Sequence, residues 1–379
     1  MVIKKISAAD FRNIESCSVE LTRGVNVLAG DNAQGKTNLL EAIYFTALGK
    51  SFRPVKEAEL VRFGCEGARL ENVFEDSVRE QRISVRLSSG RAKRVVEHNG
   101  IKLSRMSELV GQFRVVLFCP EHLSLVQGGP EMRRNYLNVA ISQLRPMYLR
   151  SLQRYNQILK ERNSLIRRAE EDRRTFDATI DFWSEQLAEE AARITCARAE
   201  YVRRADGLVA EIFADMSSCF PNATEGGEVP KLEYASRAAQ DDESILSDVG
   251  AVRDKYLELL TTRKEREILA GSTLYGVHRD DIKISLCGRP ARIFASQGQQ
   301  RSLALAMKLA EGDISAADFG GDMPVFLFDD VLSELDAHRR AYLMEKMDSR
   351  QVIMSTCELS QDVSAGINLI KVEGGRYFS

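Results

Sequence analysis

Apolar and polar residues alternate with a period of two over 2–11 and again over 16–21, and a mainly apolar run covers 25–29. The first two patterns predict strands with one face in a core; the third predicts a short strand buried on both faces. Alternating runs at 67–74, 82–87, 94–97 and 114–118 predict further strands, interrupted only by a helix-patterned stretch at 38–48. From 130 to about 216 the period becomes helical, almost without glycine, and Leu152, Tyr155, Leu159 and Ile166 mark one apolar stripe. Pro221, Gly226, Gly227 and Pro230 then break the pattern over 220–248, which reads as a connector. A helix over 244–270 leads to strands at 281–286 and 291–295, a helix at 299–312, a strand at 324–328, a helix at 336–347 and a strand at 351–355. The implied fold is α/β: a body with a mostly parallel sheet, assembled from both chain ends, around a helical insertion. The expected divisions are 1–129 and 271–379 for the body and 130–270 for the insertion.

Composition narrows the function classes. A net charge of −2 over 379 residues offers no global attraction to a polyanion, so a nucleic-acid surface has to be local. Two segments qualify: 79–94 carries six bases and one acid on a strand-patterned hairpin, and 145–174 carries nine bases and four acids on the first insertion helix. Each is either a phosphate-contacting surface or a solvated charged face; the DNA-binding candidates are Arg91, Lys93, Arg94, Arg150 and Arg154. Few aromatics interleave with these bases, which disfavours single-strand stacking. The stretch 206–250, with ten acids against two bases, is not expected to face phosphates. Seven scattered cysteines without a Cys-x-x-Cys pair, and four dispersed histidines, argue for reduced thiols and against a zinc centre. No apolar run reaches ~18 residues and the first residues alternate like a strand, so the expected location is the cytoplasm.

The most specific chemistry is a P-loop: Gly30, Asp31, Asn32, Ala33, Gln34, Gly35, Lys36 and Thr37, followed by Asn38, between a predicted strand and a predicted helix. Its glycines keep Cβ atoms clear of the phosphates, backbone N–H groups converge on phosphate oxygens, Lys36 reaches the β- and γ-phosphates, and Thr37 ligates Mg²⁺. A carboxylate at the end of a neighbouring buried strand has to complete the Mg²⁺ shell. The apolar run at 323–328 supplies it in Asp329, with Asp330 one residue on to orient or deprotonate the attacking water. The expected cofactors are therefore ATP and Mg²⁺, with Lys36 and Asp330 as the catalytic pair. A third piece, Ser296 with Gly298, opens the helix that precedes this strand, as an N-cap and a phosphate-accepting helix terminus.

In the order P-loop, helical insertion, Ser296-Gln297-Gly298-Gln299, Asp329-Asp330 and Ser333-Glu334-Leu335-Asp336, the chain resembles the SMC and RecF branch of the ABC ATPases. Asp10-Phe11-Arg12-Asn13 and Tyr275-Gly276-Val277-His278-Arg279-Asp280-Asp281 resemble RecF-type recombination mediators. The resemblance implies an ABC-type ATPase head formed from both chain ends with an inserted helical arm. It implies an ATP-dependent homodimer in which Ser296 and Gly298 complete the site of the other copy. It also implies weak DNA-stimulated ATPase activity, double-stranded or gapped DNA as ligand, and RecR, RecO and RecA as partners in replication and repair. Arg12 and Asn13 are either N-terminal nucleotide contacts of this branch or a turn with a solvated arginine. Glu121, Gln127 and Gln143 are all open as the Mg²⁺-sensing residue, and Thr356 as a hydroxyl donor to the γ-phosphate. Two departures matter. Asp330 stands where most ABC ATPases carry Glu, which implies slow hydrolysis suited to a switch, and the insertion lacks a long heptad run and a Cys-x-x-Cys hook, which implies a short arm. The competing expectation is an SMC-like structural tether or nuclease-associated ATPase with incidental DNA contact.

Overall fold

The computed structural model describes residues 1–90, 94–218, 228–240, 242–348, 350–357 and 367–378. The strands are β1 (Val2–Phe11), β2 (Ile14–Glu20), β3 (Val25–Ala29), β4 (Gly67–Glu75), β5 (Glu80–Ser88), β6 (Val95–His98), β7 (Ile101–Lys102), β8 (Val115–Phe118), β9 (Pro230–Ala235), β10 (Asp281–Leu286), β11 (Arg289–Pro290), β12 (Val325–Asp329), β13 (Val352–Thr356), β14 (Asn368–Glu373) and β15 (Arg376–Phe378). The helices are α1 (Lys36–Leu48), α2 (Pro130–Leu144), α3 (Pro146–Arg168), α4 (Arg173–Ser218), α5 (Val249–Thr262), α6 (Lys264–Ala270), α7 (Ala291–Phe294), α8 (Gln297–Asp318) and α9 (Ala337–Lys346). The chain divides into two compact units, Met1–Ser124 with Asp215–Glu225 and Ala304–Ser379, and Leu125–Ala214 with Gly226–Leu303.

In the first unit a six-stranded sheet runs β15-β14-β3-β13-β12-β8, parallel throughout except at the β14–β15 edge. Strands β3, β8, β12 and β13 are buried along nearly their whole length, as a parallel sheet covered on both faces requires, while β14 is half exposed. The register sets Ala29 beside Thr356 and Asp329 beside Ser355, so the carboxyl ends of β3, β12 and β13 share one edge. This is where open α/β sheets hold their ligands. A second sheet, β2-β1-β4-β5-β6-β7, is antiparallel, and its long strands alternate buried and open residues as the period-two pattern predicts. Helix α1 is buried nearly all round, with Leu39, Leu40, Ala42 and Ile43 fully enclosed, and glycines at both caps let the chain enter and leave in left-handed conformations.

The second unit is mainly helical, with a small sheet β11-β10-β9. The buried face of α3 is Tyr148, Ser151, Tyr155, Ile158, Arg162 and Ile166, one residue round from the expected stripe, so that Leu152 and Leu159 are only partly covered. Arg162 is fully buried and bonds Glu267 at 2.6 Å, Thr273 at 2.8 Å and Ser184 at 3.2 Å. One of the nine bases of 145–174 is therefore structural.

Four elements differ from the sequence-based expectation. The 291–295 strand is instead the single helical turn α7, whose carbonyls are capped by a side chain of α8. The 244–270 helix is a 3₁₀ turn followed by α5 and α6, with Asp248 capping α5. The connector contains β9, paired with β10, and the hairpin β14–β15 has no counterpart among the predicted strands.

Candidate nucleotide site

The loop from β3 to α1 has two reasons for its glycines. A Cβ at Gly30 would lie 2.2 Å from the carbonyl oxygen of Val372, so this glycine admits the neighbouring strand β14. Ala33 and Gly35 take left-handed backbone, at φ 64° and 113°, and Gly35 is the N-cap of α1. A helix terminus entered through such a turn is a ready anion site. Lys36, largely buried, curls back over the loop. Its Nζ donates to the carbonyl oxygens of Gly30 at 2.5 Å and Asp31 at 2.8 Å and touches Cys357 Sγ at 3.3 Å. The Cys357 thiol in turn donates to Asn32 Oδ1 at 2.9 Å.

At the end of β12, Asp329 Oδ1 accepts from Thr37 Oγ1 at 2.7 Å and from Ser355 Oγ at 3.0 Å. Burial pushes the Asp329 carboxyl up, against the pull of those two hydroxyls. Asp330 is exposed, in left-handed backbone at φ 51°, and its N–H donates to Ser355 Oγ at 2.9 Å. Ser355 thus fixes both acids, a role that no sequence motif assigns; its small hydroxyl side chain at the end of a buried strand is the available signal. Thr356 stands beside Ala29 in register, next to the loop. Ser333 Oγ donates to the Asp330 carbonyl at 2.7 Å, and Asp336 caps α9.

Around the loop, Arg12 forks onto the fully buried Glu41 of α1, Nε to Oε2 at 2.9 Å and NH2 to Oε1 at 2.7 Å. Asn13 comes to the loop itself, accepting from Asn38 Nδ2 at 2.7 Å. The hairpin β14–β15 braces the loop beside Asn13. Gly374 N donates to Gln34 Oε1 at 2.6 Å, Gly375 N to the Gln34 carbonyl at 2.8 Å, and Tyr377 Oη to the Gly35 carbonyl at 2.9 Å. The structure thus gathers Asn13, Lys36, Thr37, Asn38, Asp329, Asp330, Ser355 and Thr356 at one end of the parallel sheet.

Ser296 and Gly298 lie in the second unit. Ser296 is exposed and forms a reciprocal cap, its N–H donating to Gln299 Oε1 at 2.6 Å while Gln299 N donates to Ser296 Oγ at 3.2 Å. Of the DNA-binding candidates, Arg91 and Lys93 lie outside the described residues. Arg94 holds the Gly49 carbonyl and Glu57, each at 2.8 Å; Arg154 bonds Gln186 at 2.5 Å and pairs with Glu190 at 3.3 Å; Arg150 is exposed beside Met147. Glu121 is exposed on a 3₁₀ turn, Gln143 is buried on α2, and Gln127 donates to Gln300. Among the described residues no group of three or more His, Cys, Asp or Glu could hold a metal ion, and no helix is long and apolar enough to cross a membrane.

Residues 2–374 match the family described as RecF/RecN/SMC N terminal domain. The chain is 36% identical over 99% of its length to the DNA replication and repair protein RecF of Shouchella clausii, covering 98% of that protein, and 34% identical over its full length to that of Acetivibrio thermocellus. It belongs to the RecF family. Two solved structures, of the recombination mediator protein RecF with ATP and RecF-ATPrS in the RecFOR pathway, superpose with TM-scores of 0.89 and 0.90 at 32% identity, covering 100% and 99% of this chain and 97% of theirs. The head domain of Smc from Pyrococcus furiosus, at 17% identity and a TM-score of 0.54 over 99% of this chain and 95% of its own, shares the fold. The ABC-type α/β head expected of a RecF-family chain is thus present.

Proposed function

We propose that this RecF-family protein is a DNA replication and repair ATPase that closes as an ATP-bound dimer around double-stranded DNA at gaps and opens on slow hydrolysis. The observation that carries this reading is the Thr37 hydroxyl 2.7 Å from the Asp329 carboxylate at the mouth of a P-loop. Two hard oxygen donors at the carboxyl edge of a parallel sheet suit Mg²⁺, which Thr37 and Asp329 would hold. When bound, the ion offsets phosphate charge. In the head, assigned to 1–129 and 271–379, residues 30–38 and Asn13 cradle the triphosphate. Lys36 moves its ammonium from the loop carbonyls to the β- and γ-phosphate oxygens. Asp330 orients the attacking water, with its backbone pinned by Ser355. Ser296 and Gly298 cap the γ-phosphate of the other copy, so ATP supplies contacts that exist only in the closed dimer. Arg150 and Arg154 on the arm, 130–270, contact the DNA backbone. The solved structures of the recombination mediator RecF in the RecFOR pathway support a mediator role; RecR and RecO as partners, RecA as the protein loaded and the cytoplasmic nucleoid as the location complete the proposal.

Retention on duplex DNA tests the reading. Asp330→Asn should hold ATP unhydrolysed and stay on a gapped duplex after competitor is added, Lys36→Ala should not be retained at all, and wild type should release as ATP is consumed. DNA binding that is equal with and without ATP in all three proteins would overturn it and favour a structural tether.

A further inference from the structure

The corner that ends in Ser296 is held by one buried amide. Gln300, on the first turn of α8, is 5% exposed and points its Nε2 at three carbonyl oxygens: Ala291 at 3.1 Å, Arg292 at 3.3 Å and Ala295 at 3.1 Å. Helix α7 is a single turn: Ala295 N donates to the Ala291 carbonyl at 3.1 Å, an oxygen that Gln300 shares, while the Arg292 and Ala295 carbonyls lie beyond the reach of the turn's own N–H groups. The other end of the same side chain, Oε1, accepts from Gln127 Nε2. Gln300 N also donates to the Ser296 carbonyl at 2.9 Å. The main chain on both sides of Ser296 is therefore gripped by one residue, while the serine side chain stays exposed. Its neighbour Gln299 is engaged differently, by the reciprocal cap and by donation to Glu228.

Recognition of a phosphate by a serine and the first N–H groups of a helix is steeply dependent on position, since a displacement near 1 Å forfeits most of the interaction. A one-turn helix meeting a long helix at a corner has little packing of its own to set that position. We propose that Gln300 is a positioning residue for Ser296: its amide fixes the α7–α8 corner so that Ser296 and the start of α8 are presented to a triphosphate bound by a second copy of the chain. Gln127 orients the Gln300 amide, which gives Gln127 a mechanical role. This inference rests on the composite-site reading proposed above.

The test compares Gln300→Met, which keeps length and volume but removes every hydrogen bond of the side chain, with Ser296→Ala and the double variant. Three readouts are taken on the full-length protein: thermal melting, affinity of the dilute monomer for a fluorescent ATP analogue, and ATP-driven dimerisation by analytical ultracentrifugation. Gln300→Met should melt within a few degrees of wild type and bind the analogue within about twofold, yet dimerise about tenfold more weakly. Added to Ser296→Ala it should cost well under a further tenfold, because most of its effect passes through that serine. Dimerisation by Gln300→Met at wild-type strength, or an equal further loss in the Ser296→Ala background, would overturn the positioning role while leaving the composite site standing. Normal dimerisation by Ser296→Ala itself would overturn both.

Discussion

Gly30 shows how one residue serves the sheet and the loop together. Alanine there would drive its Cβ to 2.2 Å from the Val372 carbonyl oxygen, and backbone on both sides leaves little room to yield. Gly30→Ala is expected to destabilise the protein by about 3 kcal/mol and to weaken ATP binding, as read by denaturant titration and nucleotide fluorescence. Gly207 is the contrast. It lies exposed in α4, and a Cβ added there would have nothing within 4 Å, so Gly207→Ala should stabilise by roughly 0.5–1 kcal/mol through helix propensity. A second residue-scale prediction concerns pH. His278 donates from Nε2 to the Thr273 carbonyl at 3.1 Å, so Nδ1 accepts from Tyr155 Oη at 2.6 Å, and burial holds its pKa down at about 4. The folded state therefore binds this proton less readily than the unfolded chain. The contribution is intact above about pH 6.5 and is lost as pH falls towards 4, amounting to about 2 kcal/mol between pH 7.5 and 5. Denaturant midpoints across that window should fall in wild type and fall less steeply in His278→Gln.

At the scale of elements, the hairpin β14–β15 is the part of the site furthest in sequence from the loop it braces. Tyr377→Phe removes the bond to the Gly35 carbonyl, the N-cap of α1, and nothing of the ring packing. A loss of about 1 kcal/mol, felt as roughly fivefold weaker ATP binding with little change in melting temperature, is the expected result. No change in nucleotide affinity would confine the hairpin to a structural role. The hairpin is hidden in the sequence because 368–373 is a short, half-exposed strand with no motif, whereas β3 and β12 announce themselves by apolar runs ending in the P-loop and in Asp329. Helix α7 reads as a strand for a related reason. Ala291, Ile293 and Ala295 alternate like a strand, and the capping that favours a helical turn comes from Gln300, outside the window in which periodicity is judged. Arg162 is hidden too: its buried partners Glu267 and Thr273 lie about a hundred residues away in the chain, so a charge count could only place it on the surface.

At the scale of the whole molecule, motifs carry more than periodicity does. The parallel sheet, the loop, Asp329 and Asp330 are legible because nucleotide chemistry demands those residue types in that order. Ser355, Asn13's contact with Asn38 and the closing hairpin become legible only once the chain is folded. The central claim is that each ATP is held by the P-loop of one copy and Ser296 of another. Mixing two inactive proteins tests it most directly. Lys36→Ala retains Ser296 and Ser296→Ala retains Lys36, so a mixed dimer contains one complete site although neither homodimer contains any. The account predicts that each variant alone fails to hydrolyse ATP and that an equimolar mixture recovers a measurable fraction of wild-type hydrolysis. A mixture no more active than its two components would contradict it.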